Sequence, residues 1–307
     1  MVTAICMNPS ADKTVYLDKF ELSATNIIKR ETRDVGGKGI NVAIALRRLG
    51  VPSSCMGIVG DKSLSEVIAH LEKSGVEARF MTVSGQMRTN LKVVDESSHQ
   101  VTELNERGPE ADAEMLTLFK TLVGERAKKS RYIVFTGAMP PGTPADYYRE
   151  LMSVCPCRAV LDTHGEMLTS ALSAKPFLIK PNIKELEKTV GRTLSTMRSI
   201  LEAAREMTTL GAQNVLVSMG AMGAMLCTED TALYSPAISV PVRSTVGAGD
   251  CMVAGFLSGI IQNGDIKEAF RFGCAAGAAS VMTEGTRLLD KSDFDELLCR
   301  VSLQSVQ

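Results

Sequence analysis

The stretch Ser244-Thr245-Val246-Gly247-Ala248-Gly249-Asp250 is followed directly by the small, apolar run Cys251-Met252-Val253-Ala254-Gly255-Phe256. This pattern predicts a loop that turns on two glycines into a buried helix, with a carboxylate where the helix begins. The N–H groups of a first helical turn lack intrahelical acceptors, and glycines let the backbone close around an anion. The amides of Gly247, Ala248 and Gly249 are therefore candidate phosphate donors, and Asp250 is a candidate base for phosphoryl transfer. The simpler alternative is a tight turn that only starts a helix.

The composition is that of an ordinary globular chain. Of 307 residues, 45% are hydrophobic and 22% are charged, and the formal net charge of −1 gives no electrostatic support for a nucleic-acid-binding protein. No apolar run approaches the roughly 18 residues of a membrane span, and the first residues do not resemble a signal peptide. The eight cysteines are scattered without a C-x-x-C pair, so we expect free thiols in a reducing cytoplasm rather than a zinc or redox site.

The chain alternates short β-branched runs with helical patterns. This alternation predicts an α/β fold with a mostly parallel sheet and helices on both faces, and we expect a single domain over residues 1–307. The candidate strands are residues 2–6, 54–58, 132–136, 159–162, 177–179, 215–218 and 224–227. The candidate helices are residues 40–49, 64–73, 111–122, 144–155, 183–190, 195–210, 251–262 and 266–281.

Two regions, about 12–34 and 86–106, interrupt this alternation. Residues 14–17 with 26–32, and 89–94 with 100–104, alternate apolar and polar positions and have no helix between them. They predict antiparallel hairpins that form a small β lid over the carboxyl ends of the parallel strands, where ligands bind in open α/β folds. Because a small sheet cannot bury both of its faces alone, the lid is also a candidate homodimer surface. An edge extension without function is the alternative.

A second glycine cluster, Gly36-Gly37-Lys38-Gly39-Ile40-Asn41, opens another predicted helix. Glycines permit close approach of a ligand, Lys38 adds a positive charge, and Asn41 offers both a donor and an acceptor. The cluster is neither a Walker loop nor a dinucleotide-binding fingerprint. Upstream, Asp12 could accept hydrogen bonds from sugar hydroxyls or cap a turn. In Arg88-Thr89-Asn90 the arginine could bind a phosphate through two hydrogen bonds or lie at a solvated edge.

Together these motifs closely resemble the ribokinase-like sugar kinases of the phosphofructokinase-B family. The resemblance covers essentially the whole chain, because further landmarks follow in the family's order. They are Asn8-Pro9 with Asp12, Thr136-Gly137-Ala138-Met139-Pro140-Pro141-Gly142, Lys180-Pro181-Asn182 with Glu185, and Ser218-Met219-Gly220-Ala221-Met222-Gly223. The resemblance implies a ribokinase-like three-layer α/β/α core and transfer of a phosphoryl group from ATP, with Mg²⁺, to a hydroxyl of a sugar or sugar phosphate.

The same resemblance implies roles for individual residues. Asp250 would be the base, kept ionised by the helix dipole, and the amides of Gly247, Ala248 and Gly249 would form the anion hole. Glu185 would organise Mg²⁺ through water, although a first-turn glutamate can also simply stabilise its own helix. The nucleotide would be bound by Lys180, Asn182, Ser218, Met219, Gly220, Ala221, Met222, Gly223, Gly249 and Gly277, the last in a small-residue helix that could instead serve close packing. The acceptor would be bound by Asp12, Gly36, Gly37, Lys38, Asn41, Arg88, Asn90 and Thr136.

Two cations beside the acceptor pocket, Lys38 and Arg88, suggest an acceptor that already carries a phosphate. The pattern is most similar to bacterial 1-phosphofructokinases and tagatose-6-phosphate kinases, although Met87 and Thr136 replace a threonine and a serine usual at those positions. We expect fructose 1-phosphate to be phosphorylated on its C6 hydroxyl. Tagatose-6-phosphate kinase and 6-phosphofructokinase are the alternatives within the family, and a non-catalytic sugar-phosphate sensor is the alternative from another class.

Overall fold

The computed structural model describes residues 1–306. Its strands are β1 (Val2–Cys6), β2 (Ser10–Leu17), β3 (Arg30–Gly36), β4 (Ser53–Gly60), β5 (Glu77–Val83), β6 (Arg88–Asp95), β7 (Gln100–Asn105), β8 (Tyr132–Thr136), β9 (Arg158–Asp162), β10 (Leu178–Ile179), β11 (Asn214–Ser218), β12 (Ala224–Thr228), β13 (Ala232–Ser235) and β14 (Gln304–Ser305). Its helices are α1 (Lys38–Arg48), α2 (Leu64–Lys73), α3 (Ala113–Ala127), α4 (Tyr147–Ser153), α5 (Glu166–Leu172), α6 (Ile183–Val190), α7 (Met197–Thr209), α8 (Ala248–Asn263), α9 (Ile266–Val281) and α10 (Lys291–Leu298).

The larger sheet has the strand order β5-β4-β1-β8-β9-β10-β11-β12-β13-β14. The strands from β5 to β11 are parallel, and β12, β13 and β14 each run antiparallel to the preceding strand in this order. Both faces of this sheet are covered. In β1, Ala4 and Cys6 enter one hydrophobic core while Ile5 enters the other, as strand alternation requires. Helices α1, α2, α8, α9 and α10 contribute to the first core, and α3 to α7 contribute to the second. The predicted three-layer α/β/α architecture is therefore confirmed.

The smaller sheet has the order β3-β2-β6-β7, and the two predicted hairpins are its outer pairs. The central pair differs from the expected antiparallel arrangement, because β2 and β6 are parallel, with Ser10 opposite Arg88 and Leu17 opposite Asp95. The cause lies in the larger sheet. Strand β2 follows β1 and strand β6 follows β5, and β1 and β5 both run parallel to β4. Strands β2 and β6 therefore leave the larger sheet in the same direction, and they pair with each other as parallel neighbours.

Most predicted elements are present with shifted ends, and the shift at α8 matters for the site. This helix begins at Ala248, three residues before the predicted start, because Gly247 takes a left-handed conformation (φ 78°) and acts as its N-cap. Ala248, Gly249 and Asp250 are thus the first helical turn rather than a loop before it. Strands β5, β13 and β14 and helices α5 and α10 were not predicted, since each is too short or too weakly patterned to stand out.

The carboxyl ends of neighbouring parallel strands bring the predicted motifs to one edge of the sheet. Thr136 ends β8, Asp162 ends β9, Lys180 follows β10 and Ser218 ends β11. Open α/β sheets bind ligands at this edge. The longest described helices, α8 and α9, have 16 residues each, fewer than the roughly 20 that a membrane-spanning helix needs. That residues 1–307 form a single domain stays a prediction.

Candidate active site

Asp250 is buried in the first turn of α8, where it is 5% exposed. Its Oδ2 accepts a hydrogen bond from Asn41 Nδ2 at 2.8 Å, which joins α8 to the first turn of α1. Burial raises the pKa of Asp250 to about 6, and the negative charge of Asp162 adds to this effect, while Lys38, Asn41 and Lys180 oppose it. The carboxyl therefore releases its proton about one unit below neutral pH. The sequence argument, which considered only the helix dipole, had missed this rise in the pKa.

A second buried carboxylate, Asp162, lies between two lysines. Lys38 Nζ is 3.3 Å from Oδ2 and Lys180 Nζ is 3.2 Å from Oδ1. Asp162 is 1% exposed and Lys180 is 4% exposed. Burial alone would raise the pKa of Asp162, but the two lysines more than offset it, so the pKa lies below its ordinary value. Conversely, Asp162 raises the pKa of Lys38 above its usual range. Asp162 is thus ionised, and Lys38 keeps its positive charge.

Thr136 supports Asp162 from the neighbouring strand. Its Oγ1 donates to Asp162, with the backbone oxygen at 3.1 Å and Oδ2 at 3.2 Å. We expected Thr136 to contact the acceptor, but in this structure its hydroxyl is occupied with orienting the carboxylate. Thr136 is 1% exposed, so its contribution to the site is to orient the Asp162 carboxylate.

These groups meet at the amino-terminal end of α8. A Cβ placed on Gly249 would lie 3.0 Å from Lys180 Nζ, so the absence of a side chain there lets the ammonium reach the first turn. Asp250 and Glu185 both contribute, after Asp162, to the raised pKa of Lys38. The amide of Ala248 donates to Thr245 O at 3.4 Å, and the following first-turn amides have no intrahelical acceptor by helix geometry. Lys38, Lys180 and the N-terminus of α8 thus lie around the Asp162 carboxylate. This concentration of positive charge is suited to a transferring phosphoryl group.

The predicted acceptor residues of the small sheet form a hydrogen-bonded cluster on one of its faces. Asn90 Nδ2 donates to Asp12 Oδ1 at 2.9 Å and to Ser10 Oγ at 3.0 Å, and Ser10 Oγ also donates to Asp12 Oδ1 at 2.9 Å. The Asp12 carboxylate packs directly on Gly36, where a Cβ would lie 2.2 Å from its Oδ2. Ser10 was not singled out from the sequence; it is two residues from Asp12 and therefore on the same strand face.

Arg88 is held beside this cluster. Its Nε donates to Asn8 O at 3.2 Å and its Nη1 donates to Asn90 Oδ1 at 3.0 Å. The partners of Arg88 and Lys38 are thus different: Lys38 pairs with Asp162 near Asp250, and Arg88 belongs to the small sheet. Gly37, which precedes Lys38, has a φ of 130° that strongly favours glycine, and a Cβ placed on it would lie 2.7 Å from Cys6 Sγ.

The predicted nucleotide residues lie at the ends of β10, β11 and the turn that follows. Asn182 caps α6, accepting from the Glu185 amide at 2.9 Å, while Glu185 Oε2 accepts from the Asn182 amide at 2.9 Å. Asn182 also bridges in parallel to Ser218. Met219 precedes a 3₁₀ turn of Gly220, Ala221 and Met222, which Gly223 ends with a φ of 93°. On α9, Gly277 packs against Met252 and the Ala248 carbonyl, which is the close packing that was the alternative to a nucleotide role.

Glu185 is the predicted metal-organising residue. One of its oxygens, Oε2, is used in the capping box, as the structural alternative foresaw. The other, Oε1, accepts no hydrogen bond from residues 1–306 and lies 4.0 Å from His164 Nδ1. Within these residues, no three carboxylate, histidine or cysteine side chains converge as a ready-made metal cage. A single free carboxylate oxygen suits Mg²⁺ held mainly by water and phosphate, because Mg²⁺ retains much of its hydration shell.

Sequence reasoning missed Asp162 and His164. Asp162 had been placed only as the last residue of a strand, yet an acidic residue at the carboxyl end of a buried parallel strand is itself a signal for a site residue. His164 is two residues further along, with 60% of its side chain exposed. Nothing in the local pattern connects it with Glu185, because they belong to different βα units.

Comparisons with known proteins show the family of the chain. The sequence profile described as "pfkB family carbohydrate kinase" matches residues 7–292. The chain is 32% identical over 287 residues to a 1-phosphofructokinase of Bacillus subtilis, covering 92% of this chain and 93% of that protein. It is 34% identical over 291 residues to a 1-phosphofructokinase of Rhodobacter capsulatus, covering 94% and 92%.

Among solved structures, phosphofructokinase-2 from Escherichia coli in complex with fructose-6-phosphate superimposes with a TM-score of 0.87 at 26% identity, covering 98% of both chains. A ribokinase from Thermotoga maritima has a TM-score of 0.84 at 21% identity, covering 97% of this chain and 99% of that one, and shows the fold alone. The resemblance drawn from the motifs is therefore confirmed over nearly the whole chain. From the site and these matches together, the chain belongs to the pfkB family of carbohydrate kinases.

Proposed function

We propose that this kinase transfers the γ-phosphoryl group of ATP to the C6 hydroxyl of fructose 1-phosphate, giving fructose 1,6-bisphosphate and ADP. One observation carries the chemistry: the buried Asp250 lies at the N-terminus of α8, beside two lysines held by Asp162. The choice of fructose 1-phosphate is supported by full-length relatives from several bacteria that are named 1-phosphofructokinase.

In the reaction, the C6 hydroxyl oxygen forms a bond to the γ-phosphorus while the bond to the bridging oxygen of ADP breaks, and ADP keeps that electron pair. Asp250, ionised above its pKa of about 6, orients the hydroxyl and accepts its proton. Because such transfer is largely dissociative, the proton moves late and positioning dominates. Lys38, Lys180 and the first-turn amides of α8 then stabilise the negative charge on the transferring group.

The nucleotide would lie along the turn from Ser218 to Gly223, with its phosphates directed toward Lys180 and the N-terminus of α8. Mg²⁺, when bound, supplies charge neutralisation on the donor phosphates. The residue that would hold it is Glu185, through the free Oε1 and an intervening water. Asn182 fixes the backbone of Glu185 through the capping box and so keeps that oxygen available.

The acceptor would lie under the small sheet. Asp12 and Asn90, held together on one face, would bind ring hydroxyls, and Arg88 beside them would bind the phosphate already on the sugar. Lys38 would contact both the acceptor and the transferring phosphoryl group. It is paired with Asp162, and it is also close enough to Asp250 for the two charges to interact. This refines the expectation that Lys38 and Arg88 form one phosphate clamp.

A homodimer through the small sheet is part of the proposal. Several large apolar side chains of this sheet and its loops are exposed to solvent: Leu22 84%, Ile27 82%, Ile28 48%, Val101 55% and Leu104 56%. We place the enzyme in the cytoplasm, consistent with its free cysteines.

We expect purified protein to sediment as a dimer and an Ile27→Asp, Val101→Asp variant to sediment as a monomer, because a charge in an apolar interface is costly. Analytical ultracentrifugation measures both. A Leu210→Asp variant, which changes an exposed apolar residue outside the small sheet, is the control. A wild-type mass equal to one chain would refute the dimer.

The substrate assignment is tested by steady-state kinetics with fructose 1-phosphate, fructose 6-phosphate and tagatose 6-phosphate. We expect the highest kcat/KM for fructose 1-phosphate. A higher value for either other sugar would transfer the assignment to that alternative. ADP formation distinguishes all of these from a sugar-phosphate sensor, which would bind the sugar without turnover.

Replacing Asp250 with Asn should lower kcat by roughly 10²–10⁴-fold while leaving sugar-phosphate binding largely intact, because the amide cannot accept the proton. In the wild type, kcat should fall as the pH drops through about 6, since Asp250 gains a proton there. The residual activity of the variant should lack this pH limb. If the variant turns over at a normal rate, Asp250 is not the base.

Arg88→Ala and Lys38→Ala should differ in the kinetic constant that they affect. Removing a charged hydrogen-bond donor to the acceptor phosphate should raise the KM for the sugar phosphate roughly tenfold to hundredfold, and for Arg88→Ala we expect little change in kcat. Lys38→Ala should also lower kcat, because it removes charge from the transfer centre and leaves Asp162 with one lysine. Steady-state kinetics with the phosphorylated sugar varied at saturating ATP would show this. Unchanged KM values in both variants would contradict the assignment.

A further inference from the structure

A second cationic cavity opens at the end of the larger sheet opposite the active site. It has a volume of about 420 Å³ and is lined by Ala127, Lys128, Ser130, Arg131, Pro156, Cys157 and Arg158. These residues lie where β8 and β9 begin, whereas Thr136 and Asp162 lie where the same strands end. At about 3.3 Å per residue, the four steps from Arg158 to Asp162 separate the two sites by roughly 13 Å. The cavity is thus distinct from the site around Asp162.

The lining of this cavity is positively charged and holds no carboxylate. Lys128, Arg131 and Arg158 are all exposed, and none of them forms an ion pair with another residue among 1–306. Arg158 only donates to Tyr132 Oη at 3.4 Å and lies over the Phe177 ring, and Arg131 lies over the Tyr132 ring. Aromatic faces orient the guanidinium groups but do not neutralise them. Nearby Arg126, by contrast, is buried and paired with Glu77.

The end of α3 accounts for only part of this charge. The helix ends at Ala127, and its last carbonyl groups carry about half a negative charge, which Lys128 at the C-cap offsets. Arg131 and Arg158 come from the amino ends of two strands and have no helix terminus to neutralise. Two planar, permanently charged donors therefore remain at one opening, and this is the geometry with which arginine binds phosphate oxygens.

We propose that this cavity binds a small polyphosphate anion, free or carried on a nucleotide, at a site separate from the catalytic cleft. Its volume is within the range of about 300–1,000 Å³ typical of small-molecule sites. Several close cations favour a ligand with several negative charges over a single carboxylate. The proposal does not depend on which sugar the kinase phosphorylates.

Cys157 gives a readout confined to this cavity, because its partly buried thiol is part of the lining. We expect inorganic tripolyphosphate to slow alkylation of Cys157, measured by peptide mass spectrometry at matched ionic strength. Exposed Cys299, which is not in the lining, should react at an unchanged rate and serves as the internal control. ATP in place of tripolyphosphate tests the source: protection by both assigns nucleotides to the site, and protection by tripolyphosphate alone assigns free polyphosphate.

An Arg131→Gln, Arg158→Gln variant should weaken this protection at least about tenfold, equivalent to about 1.4 kcal/mol. The matched control is Lys73→Gln, Lys267→Gln, which removes the same charge from exposed, unpaired positions on α2 and α9 and should protect like the wild type. Equal alkylation of wild-type Cys157 with and without millimolar anion would overturn the proposal. Equal protection in both double variants would also overturn it. Neither measurement requires kinase activity. A failure of the proposed function would therefore appear in the kinetic assays alone, and a failure of this proposal in the alkylation assay alone.

Discussion

The candidate active site depends on one buried carboxylate shared by two lysines. Asp162 is almost completely inaccessible to water, and a lone charge in that position would be costly. Lys38 and Lys180 come from different parts of the chain, one from the start of α1 and the other from the end of β10, and each approaches a different oxygen. The carboxylate is thus ionised because two cations surround it. In turn it fixes both cations at the N-terminus of α8.

For Asp250, in the same site, the effect of burial on the pKa outweighs that of the nearby positive charges. Asp250 is 5% exposed, and among residues 1–306 its carboxylate accepts a side-chain hydrogen bond only from a neutral amide, that of Asn41. Desolvation therefore dominates, and the pKa rises to about 6 rather than falling. Two acids in one site thus have pKa values shifted in opposite directions. The acid with the lowered pKa is structural, and the acid with the raised pKa is suited to proton transfer near neutral pH.

The small sheet follows from the same topology. Strands β1 and β5 run in parallel and continue as β2 and β6, which places Asp12 and Asn90 opposite each other on one face. The hydrogen bond between them is therefore a consequence of register, and Arg88 joins by facing the same side. The residues proposed to bind the acceptor thus lie on the small sheet, and Lys38 and Asp250 lie in the first turns of α1 and α8.

The local pattern of the sequence was sufficient to predict an α/β fold with a mostly parallel sheet and helices on both faces, both glycine-rich helix starts and the two hairpins, whereas the roles of the site residues came from the family resemblance. Those features depend on neighbours along the chain: hydrophobic periodicity, glycine before a helix, and a capping pair such as Asn182 with Glu185. The short elements β14 and α5 were not predicted, because an element of so few residues shows too little hydrophobic periodicity to be recognised.

Only the tertiary structure showed that β2 and β6 are parallel, that Asp162 binds two lysines, and that the pKa of Asp250 is raised. Each of these results from groups distant along the chain, such as Lys38 and Asp162, 124 residues apart. A local sequence pattern records which charges exist. Burial and the distances between charges decide their energies, and both appear only when the chain is folded.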